Sequence, residues 1–478
     1  MSDRTTSPAG APARPGGDAD GARADHGWLR ARIDEAARRS PARLALGVFA
    51  AVISVFVALL CLPAATASGQ RAPFVDAVFT GVSAVCVTGL TTVDTATYWS
   101  GFGQGVILVG IKVGGLGILT LASLLGLAVS RRLGLAQRLV AQSEVKASRL
   151  SEVGSLLRVV IVTSTTIEAV VAVLLFPAFL RQGEGVGKAL WHAVFYALSA
   201  FNNAGFVVHE GGLVRWAGDP WITLPIAAAV FAGSLGFPVV LVLVRGWRRP
   251  AAWPVHTKLT LVTTTVLLGL SIVLIGLFEW SNPATLGALD PGSRVLATVF
   301  QGAMPRSGGF ATVDVGQMNE TTWLLQDVLM FIGGGSASTA GGIKVGTLAV
   351  LTLAAVAEAR GDRDIEAFGR RIPPTSVRLA VTVLLAGLTI VFAATLALLA
   401  LEPQTRLDEA VFEVISAFAT CGLSTGLTNH PELGDPAKYM LAVLMYVGRT
   451  GTVTLAAALA LRERGRAFRL PEERPIVG

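Results

Sequence analysis

Four glycine-centred loops recur about 110 residues apart: VCVTGLTT around Gly89, NNAGFVV around Gly205, PRSGGFAT around Gly309 and ATCGLSTG around Gly422. Apart from Arg306 they carry almost no titratable side chain, which leaves the backbone carbonyl as their chemistry. Rings of carbonyl oxygens replace the hydration shell of a cation, and glycine reaches backbone angles that turn a carbonyl where other residues cannot. The expected ligands are Val87, Thr88 and Gly89, then Asn203, Ala204 and Gly205, then Ser307, Gly308 and Gly309, and finally Thr420, Cys421 and Gly422. One such loop alone reads as a turn. Four at matched spacing read as a cation filter.

The elements that must position them repeat as well. Ala77-Val78-Phe79 to Ser83-Ala84, Ala193-Val194-Phe195 to Ser199-Ala200 and Ala410-Val411-Phe412 to Ser416-Ala417 align as short helices running into the loops. The third copy keeps Val299-Phe300, has Met304-Pro305 in place of Ser-Ala, and reaches its glycine nine residues after phenylalanine instead of ten. A helix C-terminus aimed at the axis adds partial negative charge for a cation. Phe206 and Phe310, just past the glycine, are placed to wedge their loops.

After each loop comes an apolar stretch marked by small residues, which permit close helix packing: GGLG at 114–117, GSLGF at 233–237, GGGSASTAGGIK at 333–344 and GRTGT at 448–452. The third cannot hold a straight helix. It is expected to break its span and to leave a gate below the filter, built from Gly333, Gly334, Gly335, Ser336, Ser338, Thr339, Gly341, Gly342 and Lys344.

Composition sets the surroundings. Of 478 residues 52% are hydrophobic and 15% charged, with mean hydropathy +0.61, so an all-α polytopic membrane protein is expected. Apolar runs near 44–63, 103–130, 155–180, 221–245, 257–279, 322–358, 377–401 and 437–461 give eight transmembrane spans. Twenty-eight of the 39 Lys and Arg fall in the N-terminal arm, 131–158, 245–258, 360–378 and the tail from Arg462. The opposite face carries Arg71, Arg181, Lys188, Arg215, Arg294, Arg306, Arg406 and Lys438. Basic residues stay inside, so both termini are expected in the cytoplasm of a multi-pass plasma-membrane protein bathed in lipid. The net charge of +7 follows from this asymmetry and implies no nucleic acid. The organisation expected is a disordered arm over 1–43, pore repeats over 44–130, 155–245, 256–358 and 374–462, and a cytoplasmic tail over 463–478. Ala65-Thr66-Ala67 mimics a signal-peptidase site, but the run before it starts too far from Met1.

Few side chains compete with this reading. Cys61, Cys86 and Cys421 make no disulfide framework, and His192, His209, His256 and His430 show no metal-ligand spacing. A lipid-active membrane enzyme would need converging acids, histidines or a metal, which the chain lacks in sequence. A secondary transporter of another cation or small solute, with helices broken at the midplane, is the alternative. It is disfavoured because only one second-span, at 333–344, is expected to break.

At SAVCVTGL (83–90), GGSASTAGGIK (334–344) and GLSTG (422–426) the chain resembles the membrane subunit of the Trk/Ktr/HKT superfamily of potassium transporters, over roughly residues 44–462. The resemblance implies a pseudo-fourfold pore, one filter glycine per repeat, a gating loop in the third second-span and a homodimer. Only the arm precedes Leu44, which resembles the Ktr-type form and implies a cytoplasmic ring of nucleotide-binding regulatory subunits. No glycine-rich phosphate loop is present here, so no cofactor is expected in this chain. Potassium is the transported ion, with sodium a candidate activator. Relatives with serine at the first filter position tend to pass sodium, and Gly89 stands there. Arg449 occupies the place of an arginine that contacts the gating loop, and is expected to bond its carbonyls and hold it closed. Lys344 either joins it or snorkels toward the cytoplasm. Lys112 stands where a glutamine is usual, and is expected at a helix interface with Glu168 as partner. Asp76 and Glu168 are expected to bond neighbouring groups.

Overall fold

A computed structural model describes residues 41–130 and 151–460. The expected arm (but for its last residues, 41–43) and the tail lie outside the described residues. Contacts divide the chain after Val48 into two units. Of the first, only the opening turns of one helix are described, and every later element belongs to the second.

One order of elements occurs four times. A long helix leads to a short one, the glycine loop comes next, and a second long or broken helix leaves it. The first set is α1 (Pro41–Leu60), α2 (Phe74–Cys86) and α3 (Gly101–Ser130). The second is α4 (Ser151–Arg181), α5 (Val186–Phe201), α6 (Pro220–Leu235) and α7 (Phe237–Gly246). The third is α8 (Val255–Glu279), α9 (Pro291–Ala303), α10 (Glu320–Phe331) and α11 (Val345–Arg360). The fourth is α12 (Pro374–Leu401), α13 (Leu407–Phe418) and α14 (Asp435–Ala460). Proline at N1 after an aspartate cap starts two of them: Asp219 accepts from Trp221 N ahead of α6, and Asp290 from Gly292 N and Ser293 N ahead of α9.

The short helices bury the turns that lead into the glycine loops, such as Val82 to Cys86 and Phe412 to Phe418, whereas the long ones display apolar side chains along their length. Val262, Val266, Val273 and Leu277 on α8, and Leu385, Leu388, Phe392 and Leu396 on α12, are exposed. Spaced at helical intervals, they form apolar stripes that water would not tolerate and lipid would. Arg158–Arg181, Val255–Glu279 and Pro374–Leu401 are each long and apolar enough to cross a membrane.

Two findings depart from expectation. The second-span of the second set is also broken: α6 and α7 meet at 103° across Gly236, whose φ is +89°. Proline at N2 of α7 and the Gly236 conformation together end one helix and start the next. A single broken span therefore no longer counts against a solute transporter. The protein is also not purely α. Between α11 and α12, β1 (Ile365–Ala367) pairs antiparallel with β2 (Arg370–Ile372) across a Phe368-Gly369 turn, both residues at positive φ.

Glu279, fully buried at the end of α8, organises the junction of α8 with the start of α10. Its Oε1 accepts Asn319 N at 2.8 Å and the Thr322 hydroxyl; its Oε2 accepts Asn282 Nδ2 at 2.8 Å and Thr285 Oγ1 at 2.6 Å. Replacing Glu279 with alanine strands these donors, each costing about 1–3 kcal/mol when buried and unpaired. The expected outcome is a clear drop in the thermal unfolding midpoint of the purified protein, larger than that of Glu279→Gln.

Candidate functional site

The four loops share one backbone signature. Val87, Asn203, Ser307 and Thr420 have φ of 56°, 59°, 69° and 45°, and Gly89, Gly205, Gly309 and Gly422 two residues later have φ of 91°, 70°, 71° and 92°. The residue between them is not left-handed, so the sign of φ alternates through each loop. Side chains rarely sit in this region, and each such non-glycine position stores about 1–3 kcal/mol of strain.

The loops close on one another in chain order. A Cβ on Gly89 would lie 2.2 Å from the Ala204 carbonyl oxygen; on Gly205, 2.8 Å from the Gly309 Cα; on Gly309, 2.6 Å from the Cys421 oxygen; on Gly422, 2.1 Å from the Thr88 oxygen. First meets second, second third, third fourth, and fourth first. Three of these seams are made by the carbonyl of the residue just before a glycine.

Hydrogen bonds from behind fix the loops. Thr88 N, Ala204 N and Cys421 N each donate to the carbonyl five residues back, at Ser83, Ser199 and Ser416. Ser83 Oγ accepts Gly89 N and Ser416 Oγ accepts Gly422 N, while Ser199 Oγ donates to the Phe206 carbonyl. In the third loop Gly308 N reaches Met304 O, only four back, so the missing residue is absorbed in the turn after α9. Ser307 instead ties sideways, its hydroxyl donating to Thr420 O at 2.8 Å and accepting Gly341 N at 3.0 Å.

That last bond joins the loops to the Gly333–Lys344 segment. Thr339 Oγ1 reaches Asn203 Oδ1 at 2.8 Å and Gly233 O at 3.0 Å. Gly335 N donates to Ser234 O, Phe237 N to Ala337 O, and Val345 N to Gly334 O. A Cβ on Gly236 would sit 2.4 Å from Ser336 O, and one on Gly341 1.9 Å from Ala419 O. The segment thus lies against three of the glycine loops and the broken end of α6. Arg449 Nη1 donates to Thr339 O. Lys344 does not extend away: its Nζ folds back on Ala340 O at 2.7 Å. Gly342 has φ +68°; Ser338 is buried and Ser336 half-buried.

Lys112 meets Glu168 at 2.5 Å, and Glu168 Oε1 accepts Asn202 Nδ2 at 2.9 Å beside the second loop. Asp76 accepts the Thr92 hydroxyl at 2.7 Å. Arg306, expected on the opposite face, is buried and donates to Thr264 O at 2.9 Å and Gly333 O at 3.4 Å. Glu413, which the sequence does not single out, is buried in α13 and accepts Thr425 N at 2.9 Å; its position one residue after Phe412 of the repeated helix is the available signal. Cys86 and Cys421 are separate buried thiols.

A family model described as a cation transport protein, TrkH, matches residues 48–469. The chain belongs to the TrkH family of cation transport proteins. It is accordingly a transporter and not an enzyme. The chain is 37% identical over 438 residues to the Ktr system potassium uptake protein B of Bacillus subtilis, covering 92% of this chain and 96% of that protein. It is 35% identical to the Ktr system potassium uptake protein B of Vibrio alginolyticus, covering 91% and 94%. To the potassium/sodium uptake protein NtpJ of Enterococcus hirae it is 34% identical, covering 92% and 98%. The crystal structure of the potassium transporter TrkH from Vibrio parahaemolyticus superposes with a TM-score of 0.67 at 19% identity, over 87% of this chain and 85% of that one. TrkH-family membership therefore rests on sequence, and the fold on both comparisons.

The seam contacts make one substitution decisive. Gly89→Ala puts a methyl group into the Ala204 carbonyl at a left-handed position. The expected result is loss of at least about 10-fold in ion uptake, with about 1–3 kcal/mol of backbone strain; alanine at Gly101, where a Cβ meets nothing within 4 Å, is expected to leave uptake unchanged.

Proposed function

We propose that this chain is the membrane subunit of a potassium uptake system, with four hairpin repeats in pseudo-fourfold arrangement and eight spans around one pore. The observation that carries the reading is the closed ring in which each glycine loop meets the next. Backbone carbonyls of Val87, Thr88 and Gly89 and their three counterparts bind the ion. The C-terminal ends of α2, α5, α9 and α13, within four residues of the left-handed turn, add their partial negative charge. The names of the Bacillus and Vibrio relatives support potassium as the ion.

Below the ring, Gly333 to Lys344 is the gate, and Arg449 holds it closed through Thr339. Uptake is passive: the negative-inside potential supplies about 2.3 kcal/mol per charge per 100 mV. Both termini face the cytoplasm, two subunits pair, and a cytoplasmic ring of nucleotide-binding subunits biases the gate. The relatives' description as parts of a Ktr system supports a partner. A pore that also carries sodium is the second reading, favoured by the Enterococcus relative's name.

Growth of a potassium-uptake-deficient bacterium on low potassium tests the reading. Wild type with a cognate regulatory subunit is expected to restore growth, and Gly89→Ser to weaken rescue or admit sodium. Failure of wild type despite confirmed membrane expression defeats the proposal. Arg449→Ala is expected to raise potassium flux several-fold in the absence of the regulator; unchanged or lower flux at equal expression would assign Arg449 a purely structural role.

A further inference from the structure

Glu184, His192 and His209 come from three places: the turn after α4, the first half of α5, and the bend after the Gly205 loop. The fold brings their ligand atoms within 4.8 Å of one another. His192 Nδ1 lies 2.7 Å from Glu184 Oε2, and His209 Nε2 lies 2.7 Å from Glu184 Oε1. The two imidazoles, with centroids 4.1 Å apart and planes at 60°, thus converge on one carboxylate.

The surroundings are those of a built site. The far nitrogen of His209, Nδ1, is held by Tyr196 Oη at 2.9 Å, which also receives Val208 N at 3.4 Å. Ligand histidines characteristically have their second nitrogen held in this way, which fixes ring orientation and tautomer. Phe179 stacks on His209 at 5.6 Å and Trp216 meets it edge-on at 4.6 Å, making a dry wall. Arg215, whose charge the cluster feels, is engaged on the Trp216 face at 4.0 Å. Burial pushes the His209 ring below the ordinary imidazole range, with the Glu184 hydrogen bond opposing it. Burial alone would raise the Glu184 carboxyl, but hydrogen bonds from both histidines carry it below its ordinary value. Side-chain exposures of 14%, 15% and 7% leave the cluster reachable from the solvent edge.

We infer that Glu184, His192 and His209 form a binding site for a first-row divalent cation, Zn²⁺ by donor set. Two imidazoles and one carboxylate are three tetrahedral ligands, with a fourth position for water. On binding, each imidazole serves as the neutral tautomer whose one N–H proton sits on the nitrogen away from the metal, His209 Nδ1 then donating to Tyr196 Oη. His209 Nε2, His192 Nδ1 and the ionised Glu184 carboxylate thus offer lone pairs where their hydrogen bonds had been. Because His192 precedes Gly205 and His209 follows it, the metal staples the two limbs of the second glycine loop. The inference is independent of which ion the family member carries.

Tag-free full-length protein in detergent, stripped with chelator, is titrated with Co²⁺ and then Zn²⁺. One equivalent of Co²⁺ per chain is expected to give tetrahedral visible bands that Zn²⁺ abolishes. Glu184→Gln and His192→Gln, each retaining cooperative unfolding, are each expected to bind at least about 100-fold more weakly. No saturable bands on wild type, or bands that persist unchanged in either folded variant, overturn the site. Should both variants unfold, Zn²⁺ must slow diethyl pyrocarbonate modification of His192 in wild type, read by peptide mass spectrometry; equal modification with and without metal overturns it.

Discussion

The ring depends on backbone meeting backbone with no side chain between. Where Gly89 faces Ala204 O, or Gly422 faces Thr88 O, nothing from the seam itself can hold the loops in place, because any added atom would push them apart. Support comes mostly from behind, as bonds local to each loop: the five-residue turns back to Ser83, Ser199 and Ser416, and the four-residue turn to Met304. The third loop adds a sideways tie, from the Ser307 hydroxyl to Thr420 O. The outgoing limbs are held by polar side chains of the same short helices or their neighbours, Asp76 on Thr92 and Glu413 on Thr425 among them. A carboxylate clasping a loop across a short distance restrains it without occupying the seam.

Unpaired backbone groups also explain why two helices break at one level. A break in α6 leaves carbonyls at 233–235 without intrahelical partners, and the glycine-rich segment at 333–344 brings N–H groups that need acceptors. Gly335 N on Ser234 O and Phe237 N on Ala337 O satisfy both at once. Irregular backbone inside an apolar shell persists only when protein satisfies it. Each broken helix is the solution to the other's unpaired groups, and neither break would be stable against a straight neighbour.

Legibility in the sequence tracks how local the cause is. Glycine loops, their preceding helices and the break at 333–344 are written in runs of adjacent residues, and can be read there. The bend at Gly236 also has a local signal, Gly-Phe-Pro, but it sits within an apolar run whose length alone suggests one straight span. The meeting of Glu184, His192 and His209 is invisible for a different reason: the chain leaves along α5, turns at Gly205 and returns, so spacing in sequence says nothing of distance. The burial of Arg306 is not legible because its partners, the carbonyls of Thr264 and Gly333, lie far from it in sequence and take the place of water. Lys112 is legible because an ammonium inside a span needs an acid, and Glu168 stands mid-span in the next repeat.

Three cations converge on the Gly333–Lys344 segment, and each bonds one of its carbonyls: Arg306 on Gly333, Lys344 on Ala340 and Arg449 on Thr339. On the transport reading this has an electrostatic consequence. A unit charge about 8 Å from a passing cation opposes it by about 2 kcal/mol at an effective dielectric of about 20, so even one of these facing the path rivals the drive from a membrane potential of about 100 mV. The carbonyls that would otherwise attract a cation below the ring are occupied by fixed ones. If the segment is the gate proposed above, steric block and electrostatic block are a single object, since the positive charges are bonded to it. On that proposal, moving the segment shifts carbonyls and cations together, and breaking the Arg449–Thr339 bond frees a carbonyl oxygen while removing one of the loop's tethers.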